Sequence, residues 1–229
     1  MALHSRAKKV INLFFRDLCP GCSERSPAPG SRLCSWCLAR VYPVPFRSDA
    51  PRPAAFLHSG VMREMMIRLK YSGERHLGAV LAEMAVGEWE RLPAPGETVT
   101  CVPSSRRTLR KRGYNQVNII ARHVCGLTGG RFSKLLIRNP GPSQVGLTAM
   151  ERRLNLSGVF RVSSKAPPGR VWLLDDVRAT GETIAHARLA LLGGGASEVV
   201  CLAVNFRETG AGSMLRPGEE ERETAGRED

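Results

Sequence analysis

Apolar residues recur along the chain in short blocks whose spacing alternates between that of a helix and that of a strand. Met62, Met65, Met66 and Leu69 lie three or four positions apart, as residues on one helical face do. Further helices are predicted at residues 75–92, 115–125 and 184–192. Short apolar runs predict strands at residues 54–59, 98–102, 135–138, 171–174 and 198–204. Strands that alternate with helices favour an α/β fold with a mostly parallel sheet flanked by helices.

The same pattern divides the chain into three parts. Residues 1–18 predict a short amphipathic helix, and four prolines within residues 42–53 predict a stiff, extended linker. We therefore expect an N-terminal module at residues 1–45 and the α/β domain at residues 46–207. Residues 208–229 are polar and charged, which predicts a disordered tail.

Charge narrows the choice of partners. The 229 residues carry a formal net charge of +13, which favours nucleic acid, phosphorylated small molecules or a membrane surface. No apolar run reaches the roughly 18 residues that a membrane span needs. The N-terminal apolar stretch is short and has no small-residue cleavage site, so we expect a cytoplasmic protein.

Four of the seven cysteines form two C-x-x-C pairs, Cys19 with Cys22 and Cys34 with Cys37. Zinc takes four such ligands in a tetrahedron, and two tight turns joined by a hairpin would supply them. A shell filled by four thiolates makes the metal structural rather than catalytic. A redox pair, two unrelated pairs and an iron–sulfur cluster remain alternatives. The single cysteines Cys101, Cys125 and Cys201 are predicted to be buried thiols.

The apolar run at residues 171–174 ends in two adjacent carboxylates, Asp175 and Asp176, before a Thr180-Gly181 turn and a helix. In open α/β sheets ligands bind beyond the carboxyl ends of strands, and a helix N-terminus offers free N–H groups to a phosphate. The hydroxyl groups of Thr180 and Thr183 add donors. Vicinal ribose hydroxyls and Mg²⁺ would explain carboxylates beside a phosphate. The alternative is that the aspartates only cap the helix.

Residues 171–184 resemble the phosphoribosyl-diphosphate motif of type I phosphoribosyltransferases. Other segments narrow the resemblance, and together with the cysteine pairs they make residues 12–205 resemble the ComF family of competence-associated, phosphoribosyltransferase-like proteins. These segments are Lys70-Tyr71 and residues 111–116, 144–147, 151–155 and 158–160.

This resemblance implies a phosphoribosyltransferase-type sheet preceded by a zinc ribbon, with a site for phosphoribosyl diphosphate and Mg²⁺. Asp175 and Asp176 would meet the ribose hydroxyls, with Asp176 near Mg²⁺. The remaining phosphate- and ribose-binding segment would be Val177, Arg178, Ala179, Thr180, Gly181, Glu182 and Thr183. The loop that approaches the pyrophosphate would be Ser104, Ser105, Arg106 and Arg107. Two departures from the motif are Ala179, where a hydroxyl residue is common, and the strand ending Asn205-Phe206-Arg207, which bears on base specificity.

A basic segment follows residue 105, and we expect it to be a loop. It could neutralise a pyrophosphate leaving group, or follow a nucleic-acid backbone while Tyr114 stacks on a base, or be a solvated surface. Its residues include Arg106, Arg107, Arg110, Lys111, Arg112 and Arg122, with no acid between them. Lys70 and Tyr71 end a helix, where the lysine could serve the helix dipole or a ligand. Residues 144–155 are predicted to form a loop and a short helix over the site, with Glu151 and Arg152 paired with each other or facing the ligand.

Two hypotheses follow for the function. The first is an enzyme that transfers a phosphoribosyl group to a base or another acceptor. The second is a non-enzymatic competence factor that binds single-stranded DNA and keeps the phosphoribosyl pocket for ligand sensing. The family resemblance links both to DNA uptake.

Overall fold

The structure is a computed structural model that describes residues 18–46, 48, 52, 54–139, 159–163 and 167–208. The helix predicted at residues 1–18 (apart from Leu18), the segment 144–155 and the tail after residue 208 lie outside the described residues. None of the helices within the described ranges is long and apolar enough to cross a membrane.

Strands and helices alternate along most of the described chain. The helices are α1 (Ser35–Leu38), α2 (Gly60–Tyr71), α3 (Leu77–Glu88), α4 (Arg106–Arg112), α5 (Gln116–Thr128) and α6 (Glu182–Gly193). The strands are β1 (Phe56–Leu57), β2 (Thr98–Cys101), β3 (Arg131–Phe132), β4 (Leu136–Arg138), β5 (Phe160–Val162), β6 (Arg170–Arg178) and β7 (Glu198–Phe206).

Five strands form one sheet in the order β1-β7-β6-β2-β3, and every neighbouring pair is parallel. The remaining strands, β4 and β5, pair antiparallel beside it. The predicted α/β class with a mostly parallel sheet flanked by helices is confirmed. Parallel strands all end at the same edge, so the residues that follow β2, β6 and β7 are brought together there.

The two faces of β6 enter two separate cores. Trp172 and Leu174 pack with α2, α3 and α5, whereas Val171 and Leu173 pack with α6 and β5. Successive strand residues point to opposite faces, so a strand covered on both sides must be apolar at every position. This requirement explains the unbroken apolar run at residues 171–174.

Strand β6 does not end at the two aspartates, as the apolar run predicted. It continues to Arg178 because its ladder with β7 continues, pairing Asp175 with Ala203 and Arg178 with Phe206. Backbone hydrogen bonding to a neighbour, rather than side-chain polarity, sets the end of this strand. The aspartates therefore sit on a fixed strand instead of in a loop.

The basic segment is also different from its prediction, because Arg106–Arg112 form helix α4 rather than a loop. The Ser105 hydroxyl accepts a hydrogen bond from the Thr108 N–H at 3.1 Å, which caps the first turn. Gly113, with φ of +80°, ends the helix in the left-handed conformation that glycine favours. Capping at both ends fixes the basic side chains on a short rigid element.

The cysteine module packs directly against the α/β domain. Cys19, Cys34 and Cys37 are buried in the same core as Val61 and Met62 of α2. Arginines add polar contacts across the junction, and one of them is Arg32, whose guanidinium pairs with Glu83 of α3 at 2.6 Å. The Arg68 guanidinium donates to the carbonyl oxygens of Pro20 at 2.8 Å and Gly21 at 3.0 Å, and pairs with Glu74. The division at residue 45 remains a prediction, but the two parts share one hydrophobic core.

Candidate functional site

Asp176 lies on the face of β6 that looks toward α2 and α5, in line with Trp172 and Leu174. The residue is 7% exposed, and its carboxylate lies 2.9 Å from Lys70 Nζ at the C-terminal end of α2. The side-chain amide of Gln116, the first residue of α5, donates a hydrogen bond to the same oxygen. A buried carboxylate needs such partners, and here they come from two helices distant in sequence.

Asp175 occupies the opposite face and has different surroundings. Its Oδ1 accepts a hydrogen bond from the Asp176 N–H at 2.9 Å. Burial, followed by the negative charge of Asp176, raises the pKa of Asp175 to about 8, although that hydrogen bond and Lys70 act in the other direction. Two adjacent carboxyl groups with such different environments are typical of a functional site rather than of a solvated turn.

A cavity of about 390 Å³ opens beside the pair. Its wall includes both aspartates, Lys70, Gln116 and the segment Val102–Ser105 that follows β2. This volume falls within the range of small-molecule sites. The carboxyl ends of β2 and β6 thus form one polar pocket, where an open α/β sheet is expected to bind a ligand.

Only part of the predicted pyrophosphate loop lies at the cavity. Ser104 and Ser105 line the cavity, whereas Arg106 and Arg107 are exposed on α4. The two arginines face different hollows, with Arg107 on one side of α4 and Arg106 on the other. The structure brings the two serines to the acidic pair but not the two arginines as a unit.

The phosphate- and ribose-binding segment is divided in the same way. Val177 and Thr183 line the cavity. The turn between them lies beyond the cavity wall and consists of Arg178, Ala179, Thr180, Gly181 and Glu182. Gly181 has φ of +81° and is the N-cap of α6, which has no side-chain cap. The aspartates therefore do not cap this helix, and that alternative is excluded.

Tyr114 does not occupy the position that the sequence suggested for base stacking. Its hydroxyl donates to the carbonyl oxygen of Leu69, and the guanidinium of Arg75 lies 4.5 Å from its ring centroid. A nearby aromatic ring, that of Tyr71, is 71% exposed. Of the other nucleic-acid candidates, Arg110 and Lys111 are exposed and Arg112 is half-buried.

Three residues that line the cavity were not predicted from the sequence to hold the acidic pair. Gln116 holds Asp176, Arg138 of β4 reaches the cavity wall, and Lys70 supplies the cation. Lys70 and Gln116 stood in segments of the family resemblance, which was the available signal. Arg138 ends a three-residue strand, and no local pattern marks it.

Asn205, one of the departures from the family motif, is fully buried in the structure. Its amide donates to the Met62 carbonyl oxygen at 3.3 Å and lies 3.0 Å from His58 Nδ1. The residue therefore joins the end of β7 to the start of α2. These contacts satisfy the amide nitrogen of Asn205, whereas its side-chain oxygen is buried without a hydrogen-bond partner among the described residues.

The four paired cysteines form one cluster. Their sulfur atoms all lie within 4.8 Å of one another, and those of Cys22 and Cys34 are 3.9 Å apart. Four sulfurs at about 2.3 Å from a tetrahedral zinc ion would be about 3.8 Å apart. Burial opposes ionisation of Cys19, but backbone N–H groups outweigh it and lower its pKa to about 7. The cluster could bind a metal ion such as zinc, and it fits a zinc ribbon.

The described residues between the two cysteine pairs form a turn, and no strand is assigned to them. Among the described residues of the module, Ala28 N–H bonds to Leu33 O at 2.9 Å and closes a turn, and α1 begins inside the second pair. Of the single cysteines, Cys101 is buried as predicted, whereas Cys125 and Cys201 are only half-buried.

Cysteine cluster, parallel sheet and acidic pair occur in the order that the sequence resemblance implied. The protein is therefore an α/β protein with a parallel five-stranded sheet and an N-terminal four-cysteine cluster. No protein-family profile matches the chain.

Curated relatives are similar to this chain over most of its length. The chain is 28% identical over 196 residues to DNA utilization protein YhgH of Salmonella typhi, covering 80% of this chain and 81% of the relative. It is 27% identical over 197 residues to DNA utilization protein YhgH of Escherichia coli K12, covering 80% and 82%.

Solved structures give more distant similarities. The allosteric regulatory enzyme of purine biosynthesis matches with a TM-score of 0.38 and 20% identity, over 63% of this chain and 26% of that one. Orotate phosphoribosyltransferase from Aeropyrum pernix matches with a TM-score of 0.35 and 18% identity, over 72% and 75%. Because these TM-scores are below 0.5, the fold class rests on the sheet itself.

The raised pKa of Asp175 gives a prediction about stability. The folded protein holds the Asp175 proton more tightly than the unfolded chain, so this residue costs stability as pH rises from about 4 towards 8. Asp175→Asn removes the cost and should stabilise the magnesium-free protein, by up to about 1.4 kcal/mol per pH unit across this window. Urea unfolding at pH 5 and pH 8 measures it. If Asp175→Asn raises the free energy of unfolding by no more at pH 8 than at pH 5, the pKa of Asp175 is not raised.

Proposed function

We propose that the protein binds phosphoribosyl diphosphate together with Mg²⁺ at the carboxyl edge of its sheet and acts in DNA uptake. The observation that carries the first part is the Asp175–Asp176 pair on β6 above a polar cavity of about 390 Å³. The second part is supported by the similarity to proteins named for DNA utilization.

In this proposal different side chains contact the ribose, the 5-phosphate and the pyrophosphate of the ligand. Asp176 and Asp175 accept hydrogen bonds from the ribose hydroxyls, and Thr183 donates to the 5-phosphate. Ser104 and Ser105 donate to the pyrophosphate, next to Lys70. Oxygen donors of this kind suit Mg²⁺, which binds through one or two carboxylates and substrate phosphates and neutralises their charge.

Lys70 has a defined part in this arrangement. It neutralises Asp176 at 2.9 Å in the structure. A bound cation would take over that charge, and the ammonium group, which already lines the cavity, would then be available to the pyrophosphate. The buried carboxylate of Asp176 would then be neutralised in both states, by Lys70 in the free protein and by the cation in the complex.

The cysteine cluster is proposed to hold a structural zinc ion. The four sulfurs lie within 4.8 Å of one another, which is compatible with a tetrahedral thiolate shell, and three of the four cysteines are buried. A shell of four protein ligands leaves no open position for a substrate. Its proposed task is to fix residues 19–37 on α2.

Whether the pocket turns the ligand over decides between the two functional hypotheses. Transfer would break the bond from ribose C1 to pyrophosphate and join C1 to an acceptor, and it needs no nucleophile from the protein. Pyrophosphate release from phosphoribosyl diphosphate and Mg²⁺ should be measured with nucleobases, nucleotides and single-stranded DNA as acceptors. Release with one of them establishes a transferase. Binding without release favours ligand sensing, and absence of binding would contradict the proposal.

A second candidate function, binding of single-stranded DNA, is favoured by the exposed cations of α4. Arg106, Arg107, Arg110 and Lys111 are all exposed on this helix, and its sequence contains no acid. Each phosphate contact on a single strand makes the slope of log affinity against log salt more negative by about 0.7.

Arg106→Gln/Arg110→Gln is therefore expected to make the slope for an oligothymidylate less negative by about 1.4, measured by fluorescence anisotropy between low and physiological salt. The charge-matched control is Arg91→Gln/Arg131→Gln, which removes two cations from elsewhere on the chain and should leave the slope nearly unchanged. Equal slopes for the two double variants would show that α4 is a solvated surface.

A further inference from the structure

A second cavity of about 400 Å³ adjoins the one at the acidic pair. The two cavities share Lys70, Tyr71, Thr108 and Arg112, and the second extends along α4 to Arg107 and Lys111. The end of α2 and the side of α4 therefore enclose a hollow that opens directly onto the proposed phosphoribosyl site. Its size also falls within the range of small-molecule sites.

The charges around this hollow are of one sign. Lys70, Arg107, Lys111 and Arg112 line it, and none of the described residues in its wall is acidic. Lys70 is compensated by Asp176, which leaves three cations directed at the hollow without a carboxylate there. Clefts lined by one sign of charge concentrate ligands of the other sign, and arginines bind phosphate oxygens well.

The hollow also contains an aromatic surface. Tyr71 is 71% exposed, and the guanidinium of Arg112 lies 5.1 Å from its ring centroid. An exposed tyrosine beside cations is the combination that binds a nucleotide, because the ring stacks on the base while the cations meet the phosphate. The other tyrosine of the wall, Tyr114, is held by Leu69 and Arg75 and does not supply this surface.

A chain of polar contacts joins the hollow to the acidic pair. The guanidinium of Arg112 donates to the side-chain oxygen of Gln116, whose amide donates to Asp176. Lys70 completes the connection from the other side. A ligand on Tyr71 and Arg112 would therefore contact the same side chains that orient Asp176.

We propose that this second cavity is a nucleotide subsite, in which the base stacks on Tyr71 and the phosphate meets Arg107 and Lys111. The bound nucleotide would be the acceptor of the phosphoribosyl group, and this role rests on the function proposed above. Binding of the nucleotide itself does not depend on that function. The nucleotide is either free or one unit of a single strand of DNA, since both present a planar base and a phosphate.

The test uses the full-length, zinc-replete protein and titration calorimetry with thymidine 5′-monophosphate and with a six-residue oligothymidylate. Tyr71→Ala is expected to weaken the ligand that binds by about tenfold or more, while Tyr71→Phe, which keeps the stacking face, stays within about threefold. Lys111→Gln should weaken it as well, and should leave the affinity for phosphoribosyl diphosphate within about threefold. Binding of the mononucleotide identifies a free nucleotide as the ligand, and binding of the oligomer alone identifies a strand.

Three outcomes would overturn the subsite. One is that neither probe binds at millimolar concentration, and another is that Tyr71→Ala binds as tightly as Tyr71→Phe. The third is that inorganic pyrophosphate competes as well as the nucleotide does, which would reduce the hollow to a general anion site. Nucleotide binding that persists when phosphoribosyl diphosphate does not bind would contradict the proposed function and leave the subsite intact.

Discussion

Replacement of Cys37 by serine is expected to abolish cooperative folding of the whole chain at 37 °C. Cys37 is fully buried in the four-sulfur cluster, and the cluster shares its core with Val61 and Met62 of α2. Structural zinc contributes an apparent 10–16 kcal/mol in small domains, roughly the whole stability of a typical protein. Because α2 also delivers Lys70 to Asp176, loss of the proposed zinc ion should disorganise the candidate site as well.

Thermal unfolding followed by circular dichroism, together with zinc analysis, measures this effect. The matched control is Cys125→Ser, which changes a half-buried cysteine outside the cluster and should keep a cooperative transition and one zinc per chain. If Cys37→Ser melts within a few degrees of the wild type, the cluster does not hold a structural metal.

The second large effect is expected from Asp175→Asn/Asp176→Asn, which should weaken binding of phosphoribosyl diphosphate with Mg²⁺ by at least about 100-fold. The substitutions keep the shape of both side chains but remove the negative charge that the proposed Mg²⁺ would need. They also remove acceptors for the ribose hydroxyls, and each lost hydrogen bond to a charged group costs about 1.5–3 kcal/mol.

A control for this variant is Glu83→Gln/Glu88→Gln, which neutralises two acids of α3 that pair with Arg32 and Arg52. It makes the same change in net charge away from the cavity and should bind the ligand as the wild type does. A loss of affinity in both double variants would indicate that net charge, and not the acidic pair, governs binding.

The acidic pair was predictable because its chemistry and its position both appear in the local sequence. An apolar run buried on both faces gives a parallel strand, and Asp175 and Asp176 follow it directly. The full length of β6 was not predictable in this way, because its last residues are held by β7, which comes 20 or more positions later.

Helix α4 was missed although its signals were present. Ser105 and Gly113 cap its two ends, but the segment between them has no buried residue and therefore no apolar face to recognise. Strands β3 and β5 are two and three residues long, include Arg131 and Arg161, and have Phe160 as their one buried residue. Short elements with little burial leave no periodic pattern in the sequence.

The choice between Tyr114 and Tyr71 depends on tertiary contacts alone. Both residues stand beside basic side chains in the sequence, and the family resemblance includes both. The hydroxyl of Tyr114 is bonded to the Leu69 carbonyl oxygen and its ring is covered by Arg75. Tyr71 lies at the end of α2, where its ring is exposed. Lys70 and Gln116 converge on Asp176 for a similar reason, because two helices meet above one strand.

The most direct test of the proposed ligand site is isothermal titration of phosphoribosyl diphosphate and Mg²⁺ into the zinc-replete, full-length protein. We predict one binding site per chain, a requirement for Mg²⁺, and loss of the heat signal in Asp175→Asn/Asp176→Asn. A folded wild type that gives no heat and no competition at millimolar ligand, or a double variant that binds equally well, would contradict a phosphoribosyl site at the carboxyl edge of β6.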